Sequence, residues 1–224
     1  MMKGERIVYT MDKITLDNAL PQIFHGRDMS ASEVWQRSLT LERGGIYLIE
    51  AASGTGKTSL CSYLIGYRDD YEGRILFDNT DIRSLSVGQW VQARRTGLSH
   101  LFQELRLFPE LTAWENIQIK NGLTHWRTAR QVDEWFDAFG IAEKRNELVG
   151  RMSFGQQQRV AMIRALVQPF SFLLADEPIS HLDDANSRAM AQVLLAEIRS
   201  QGAGLVVTSV GKHMDLPYSK TFRL

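Results

Sequence analysis

The chain has 224 residues, 44% of them hydrophobic and 23% charged, a composition that supports one large folded unit and excludes a disordered, collagen-like or disulfide-built miniature protein. Lysine plus arginine equals aspartate plus glutamate at 26 each, so no global field draws the chain to nucleic acid or to an anionic membrane. Cys61 is the single cysteine, which excludes an internal disulfide and a multi-cysteine metal centre and agrees with a reducing cytosolic compartment.

In chain order, the first twelve residues hold no continuous apolar stretch of signal-peptide type, and no apolar run reaches the roughly 18 residues of a spanning helix, so the chain is not expected to cross a membrane by itself. Residues 7–11, 38–41 and 74–77 are short and strand-like, separated by turn residues such as Arg43-Gly44-Gly45 and Tyr71-Glu72-Gly73. They are expected to pair as an antiparallel sheet. Residues 46–49 are apolar and run into Ala51-Ala52-Ser53-Gly54-Thr55-Gly56-Lys57-Thr58 and then a helical pattern over 59–66, which reads as strand, glycine loop, helix. Residues 113–152 turn mainly helical and carry Trp114, Trp126, Trp135 and Phe136, aromatics best spent on packing in an inserted helical subdomain. A second apolar run, 172–175, ends in Asp176-Glu177-Pro178. A third, 204–208, follows a helical pattern over 184–199. Short apolar strands alternating with helices predict an α/β fold built on a parallel sheet.

The glycine loop carries the strongest chemistry. Gly54 and Gly56 allow backbone angles that turn successive amides toward phosphate oxygens, with the positive end of the following helix aimed at the same place. Lys57 supplies a mobile cation, and Thr58 a hydroxyl suited to a Mg²⁺ ion that bridges terminal phosphates. Ser53, Thr55 and Ser59 complete the candidate nucleotide contacts. Ala51 stands where this type of loop has its first glycine. Asp176 and Glu177 lie at the carboxyl end of a strand too apolar for an edge, the end where open parallel sheets bind ligands. That placement assigns Asp176 to the metal through its water shell and Glu177 to the attacking water, as general base or orienter.

Met152-Ser153-Phe154-Gly155-Gln156 opens another helical pattern, and by itself Ser153 there is an ordinary N-cap. With the two nucleotide motifs, this string resembles the Leu-Ser-Gly-Gly-Gln signature of the ATP-binding cassette ATPases, and the likeness extends from about residue 38 to 209. It implies a P-loop NTPase core with an antiparallel β subdomain and an inserted helical one over about 113–152, all in a single nucleotide-binding domain spanning 1–224. It also implies binding and hydrolysis of MgATP and head-to-tail dimerisation, in which Ser153, Gly155 and Gln156 reach the nucleotide of the second subunit.

Residue by residue, the resemblance makes Gln103 a catalytic and metal-linked glutamine that communicates with a membrane partner, and Ser180-His181-Leu182-Asp183 a segment that crosses to the other subunit. The partners it implies are a transmembrane permease and a second cassette, the same chain or a different one, with the protein held peripherally at the cytoplasmic membrane. Nucleic acid is not expected. The strings around 173–178 and 156–166 look most like the branch of lipoprotein-releasing, macrolide-efflux and cell-division ATPases. Phe24, His25 or Trp35 would serve as the adenine platform.

Two departures matter more than Ala51: Phe154 replaces the first signature glycine, and Ser209 stands where a histidine is expected, with His213 four residues on. They favour an alternative reading, a regulatory module that closes on ATP and hydrolyses it slowly. A soluble cassette protein of DNA repair or translation is disfavoured by the short single cassette and the zero net charge. A small-molecule kinase would need neither the signature nor the Ser180 string.

Overall fold

The computed structural model describes residues 9–52 and 54–224. Strands β1 (Lys13–Pro21), β2 (Ser38–Glu42), β4 (Tyr71–Phe77) and β5 (Thr80–Asp81) form an antiparallel sheet in the order β2-β1-β4-β5. Strands β3 (Ile46–Glu50), β6 (Leu98–Leu101), β7 (Phe172–Asp176), β8 (Gly204–Ser209) and β9 (Lys220–Arg223) form a second sheet in the order β6-β7-β8-β3-β9, parallel at every pairing.

The parallel sheet is covered on both faces, which is why its inner strands are apolar at successive positions. On β7, Phe172 and Leu174 share one core with Ile49, Leu60 and Tyr63. Leu173 and Ala175 share the other with Ile163, Leu166 and Met190. Helix α1 (Lys57–Leu64) packs against β7 on the first side, while α5 (Phe154–Leu166) and α6 (Asp184–Gln201) fill the second. Helices α3 (Ala113–Asn121) and α4 (Ala129–Ala138) lie against α5. Phe136 is buried and Trp114 and Trp135 partly buried against this core, so these three serve packing as expected, whereas Trp126 is exposed and does not join it. The remaining helix, α2 (Val87–Gln92), is capped by Ser86.

Two local expectations fail. Residues 7 and 8 lie outside the described residues, and 9–11 are not in a strand; the first strand begins at Lys13. Its alternation of buried Ile14 and Leu16 with Lys13, Thr15 and Asp17 is plain, but Asp17-Asn18 breaks the pattern. The break is a bulge: Asn18 has φ 51° and the register with β4 shifts between Asp17 and Leu20. Tyr71-Glu72-Gly73, expected as a turn, is the start of β4 facing that bulge. Gly73 has φ 75°, and a Cβ there would stand 2.2 Å from the Asn18 carbonyl oxygen, so the bulge and the glycine require each other.

Candidate functional site

The loop after β3, the start of α1 and the residues just after β6 and β7 enclose a cleft of about 280 Å³ lined by Gly54, Gly56, Lys57, Thr58, Ser59, Gln103 and Glu177, with Ile23 and Phe24 on its flank. Ser53 lies outside the described residues, and Thr55 folds its hydroxyl back onto the Ala52 carbonyl at 2.8 Å. Gly56, at φ 100°, caps α1. A Cβ on it would lie 2.9 Å from the Phe24 ring and 3.3 Å from the Trp35 indole, so both the backbone angle and the space demand glycine.

Lys57 is 6% exposed. Its Nζ reaches the Ala52 carbonyl at 3.4 Å and lies 3.6 Å from the Glu177 carboxylate. Thr58 Oγ1 donates to Gln103 Oε1 at 3.3 Å. Asp176 is 2% exposed and accepts a hydrogen bond from Thr208 Oγ1. Burial pushes its carboxyl above the ordinary carboxylate range, against the lowering effect of the Thr208 hydrogen bond. Glu177 takes φ 49°, a left-handed turn directly after the strand that aims its side chain into the cleft. Gln158 of α5 holds that turn by donating to the Glu177 carbonyl at 3.1 Å. Thr208 and Gln158 went unnoticed in the sequence, although the parallel pairing of Asp176 with Thr208 puts a hydroxyl opposite the carboxylate.

Ser153, Gly155 and Gln156 do not line this cleft. Ser153 caps α5 in a reciprocal box with Gln156. Phe154 is 42% exposed and lays its ring against His181, centroids 4.2 Å apart. A Cβ on Gly155 would come within 2.9 Å of the His181 carbonyl oxygen, so the segments 153–156 and 180–183 form one packed surface.

The aromatics upstream of the loop divide their work. Trp35 is fully buried and donates from Nε1 to the Thr55 carbonyl at 3.1 Å, which props the loop from below and removes this ring as a platform. His25 is exposed and bonded to Glu72 at 2.9 Å, away from the cleft lining. Phe24 lines the cleft but is 6% exposed, whereas its neighbour Ile23 is 64% exposed and lines the same wall. Ser209 is buried and donates to the Lys212 carbonyl, while His213 lies 3.8 Å from Glu50 and outside the cleft lining.

A protein-family model described as ABC transporter matches residues 35–180. The chain belongs to that family. It is 29% identical over 185 residues to the ABC transporter ATP-binding protein YtrE of Bacillus subtilis, covering 81% of this chain and 80% of that one. It is 32% identical over 175 residues to the lipoprotein-releasing system ATP-binding protein LolD of Roseobacter denitrificans, covering 76% and 77%. Among solved structures it is similar to the dimeric bacterial ABC transporter cassette MJ0796, with TM-score 0.74 and 26% identity over 88% of this chain and 87% of that one. A dimeric post-hydrolysis state of MJ0796 bound to ADP and Pi superposes with TM-score 0.72 and 25% identity, over 89% and 88% of the two chains. The ATP-binding cassette fold expected from the signature is therefore the fold of this ABC protein. Among the described residues no helix is long and apolar enough to cross a membrane.

Proposed function

We propose that this ABC protein binds MgATP in the Lys57–Glu177 cleft, dimerises head to tail around it, and hydrolyses it to drive a separate transmembrane permease from the cytoplasmic face. The observation that carries the reading is the convergence of Lys57, Thr58, Gln103 and Glu177 on one cleft, with Asp176 buried at the strand end one residue before Glu177. Gly54, Gly56 and the first turn of α1, with Ser59 in it, receive the phosphates. The Thr58 hydroxyl, the Gln103 amide oxygen and the Asp176 carboxylate are hard oxygen donors, the type that suits Mg²⁺. When bound, that ion neutralises charge on the terminal phosphates.

Lys57 holds the β- and γ-phosphates, and Glu177 is then released from its ion pair to take a proton from the attacking water or orient it. Gln103 positions the same water. The contribution of the chain is placement and electrostatics, since phosphoryl transfer asks little covalent chemistry of the protein. The exposed Ser153–Phe154–Gly155 surface faces the second cassette, which explains its distance from its own cleft. The permease contact falls on the groove beside Gln103, lined by Tyr67, Phe102, Arg106, Ile119 and Leu123. Titration calorimetry tests the reading: wild type binds MgATP, and Lys57→Ala loses most of that affinity while keeping its circular dichroism spectrum. Equal affinity in the two proteins would overturn it.

A second reading, the slow regulatory module, has its own support. The Ser209 hydroxyl is committed to the Lys212 carbonyl, and the Phe154 ring occupies surface that a signature glycine would leave open.

A further inference from the structure

Cys61 on α1, His100 on β6 and Asp176 on β7 bring a thiol, a ring nitrogen and a carboxylate oxygen within 4.8 Å of one another, the one such trio of histidine, cysteine and acidic groups among the described residues. The register explains the meeting. His100 pairs with Leu174 across the parallel ladder, so Asp176, two residues further, lies on the same face of the sheet. That face is covered by α1, where Cys61, Leu60 and Leu174 share one core.

His100 is the odd member. Both its ring nitrogens are buried and neither has a hydrogen-bond partner. A neutral imidazole carries one donor and one acceptor, and leaving buried polar atoms unpaired is costly. Burial, with Lys120 and Arg106 nearby, holds its pKa at about 3, so the ring keeps a free lone pair. Cys61 is 1% exposed; burial and the nearby Asp176 carboxylate push its thiol up, against the lowering effect of Lys57.

We propose that Cys61, His100 and Asp176 form a site for a thiophilic divalent cation of the zinc type, whose occupation takes Asp176 away from MgATP. Zinc accepts a thiolate, an imidazole and a carboxylate together, whereas Mg²⁺ prefers oxygen donors and would use only the carboxylate of the three. Tetrahedral ligands at zinc bond lengths stand roughly 3.3 to 3.7 Å apart, so side-chain rotations of about an ångström complete the trio, and a water fills the fourth position. On binding, the Cys61 S–H bond gives its proton to solvent and an S–metal bond forms, with no change of oxidation state. His100 also lines the groove beside Gln103, which is the route in. Inhibition rests on the proposed nucleotide function; the metal site does not.

The test uses the full chain without nucleotide. Titration with Co²⁺ as the optical probe should show one ion per chain with a thiolate charge-transfer band, and Zn²⁺ should displace it. Cys61→Ser and His100→Phe should each weaken Zn²⁺ at least tenfold, and both should keep wild-type turnover in Mg²⁺ alone. Equimolar Zn²⁺ should inhibit wild type and spare both variants. Absence of the band, or unchanged Zn²⁺ affinity in both variants, overturns the site. Zinc bound at the trio with undiminished MgATP turnover overturns the competition. A normal Co²⁺ band in a wild type that never hydrolyses ATP supports the site and counts against the nucleotide reading instead.

Discussion

Phe154 and His181 are packed ring on ring, their planes inclined by 57°, so the first-glycine position of the signature is physically joined to the segment that follows Glu177. Ser180 Oγ bonds the same imidazole at 2.9 Å. A change at Phe154 therefore reaches the turn that carries the proposed catalytic carboxylate.

Turnover of the isolated protein should be low for this family. Phe154→Gly frees the 180–183 segment and lets backbone approach a facing γ-phosphate, at a helix cost of about 1 kcal/mol. Ser209→His restores a donor to the strand end, and one preorganised donor is worth roughly 10²- to 10³-fold in rate. Because Ser209 is 2% exposed, the histidine must displace the turn at Lys212 to act. Steady-state hydrolysis at saturating MgATP decides: a double variant no faster than wild type would mean the departures are compensated elsewhere.

Glu177→Gln keeps the shape and removes the carboxylate that handles water, so ATP accumulates at the dimer interface. Size-exclusion chromatography in MgATP should show a stronger shift to dimer than wild type. The amide also weakens the contact with Lys57, 3.6 Å away, so ATP affinity should not fall. A variant that stays monomeric at high concentration counts against the head-to-tail dimer.

Trp35→Phe removes the hydrogen bond to the Thr55 carbonyl while keeping most of the ring packing beneath Gly56. The expected loss is about 1 kcal/mol of stability, with weaker nucleotide binding at unchanged fold. If calorimetry gave wild-type ATP affinity, the indole would be a core residue without influence on the loop.

Lys120 donates to Ser99 Oγ at 2.9 Å, and burial lowers its pKa from 10.5 to about 7. The unfolded chain then binds more protons than the folded one between about pH 7 and 10.5, so this group's contribution to stability rises with pH across that window. Its full penalty is present below pH 7. Lys120→Met should raise the urea midpoint at pH 6.5 and flatten the rise toward pH 9. Parallel pH profiles for the two proteins would remove Lys120 as the cause.

The order of strand, glycine loop and helix at 46–66, and the carboxylates after 172–175, were legible in the sequence because they are contiguous and because strands covered on both faces must be apolar throughout. So were the antiparallel partners at 38–41 and 74–77. What tertiary structure alone decided involves residues far apart in the chain. The strand at 13–21 hides its period behind Asp17-Asn18, and only Gly73 opposite shows that the break is a bulge. Trp35 looks like a platform in sequence, yet its indole points beneath the loop to the Thr55 carbonyl. Thr208, Gln158 and His100 are ordinary residues until the sheet register sets a hydroxyl against Asp176 and an imidazole beside Cys61. Local patterning records which face of an element is covered; it carries no record of which side chain on another element stands opposite, because that is set by strand order and helix docking.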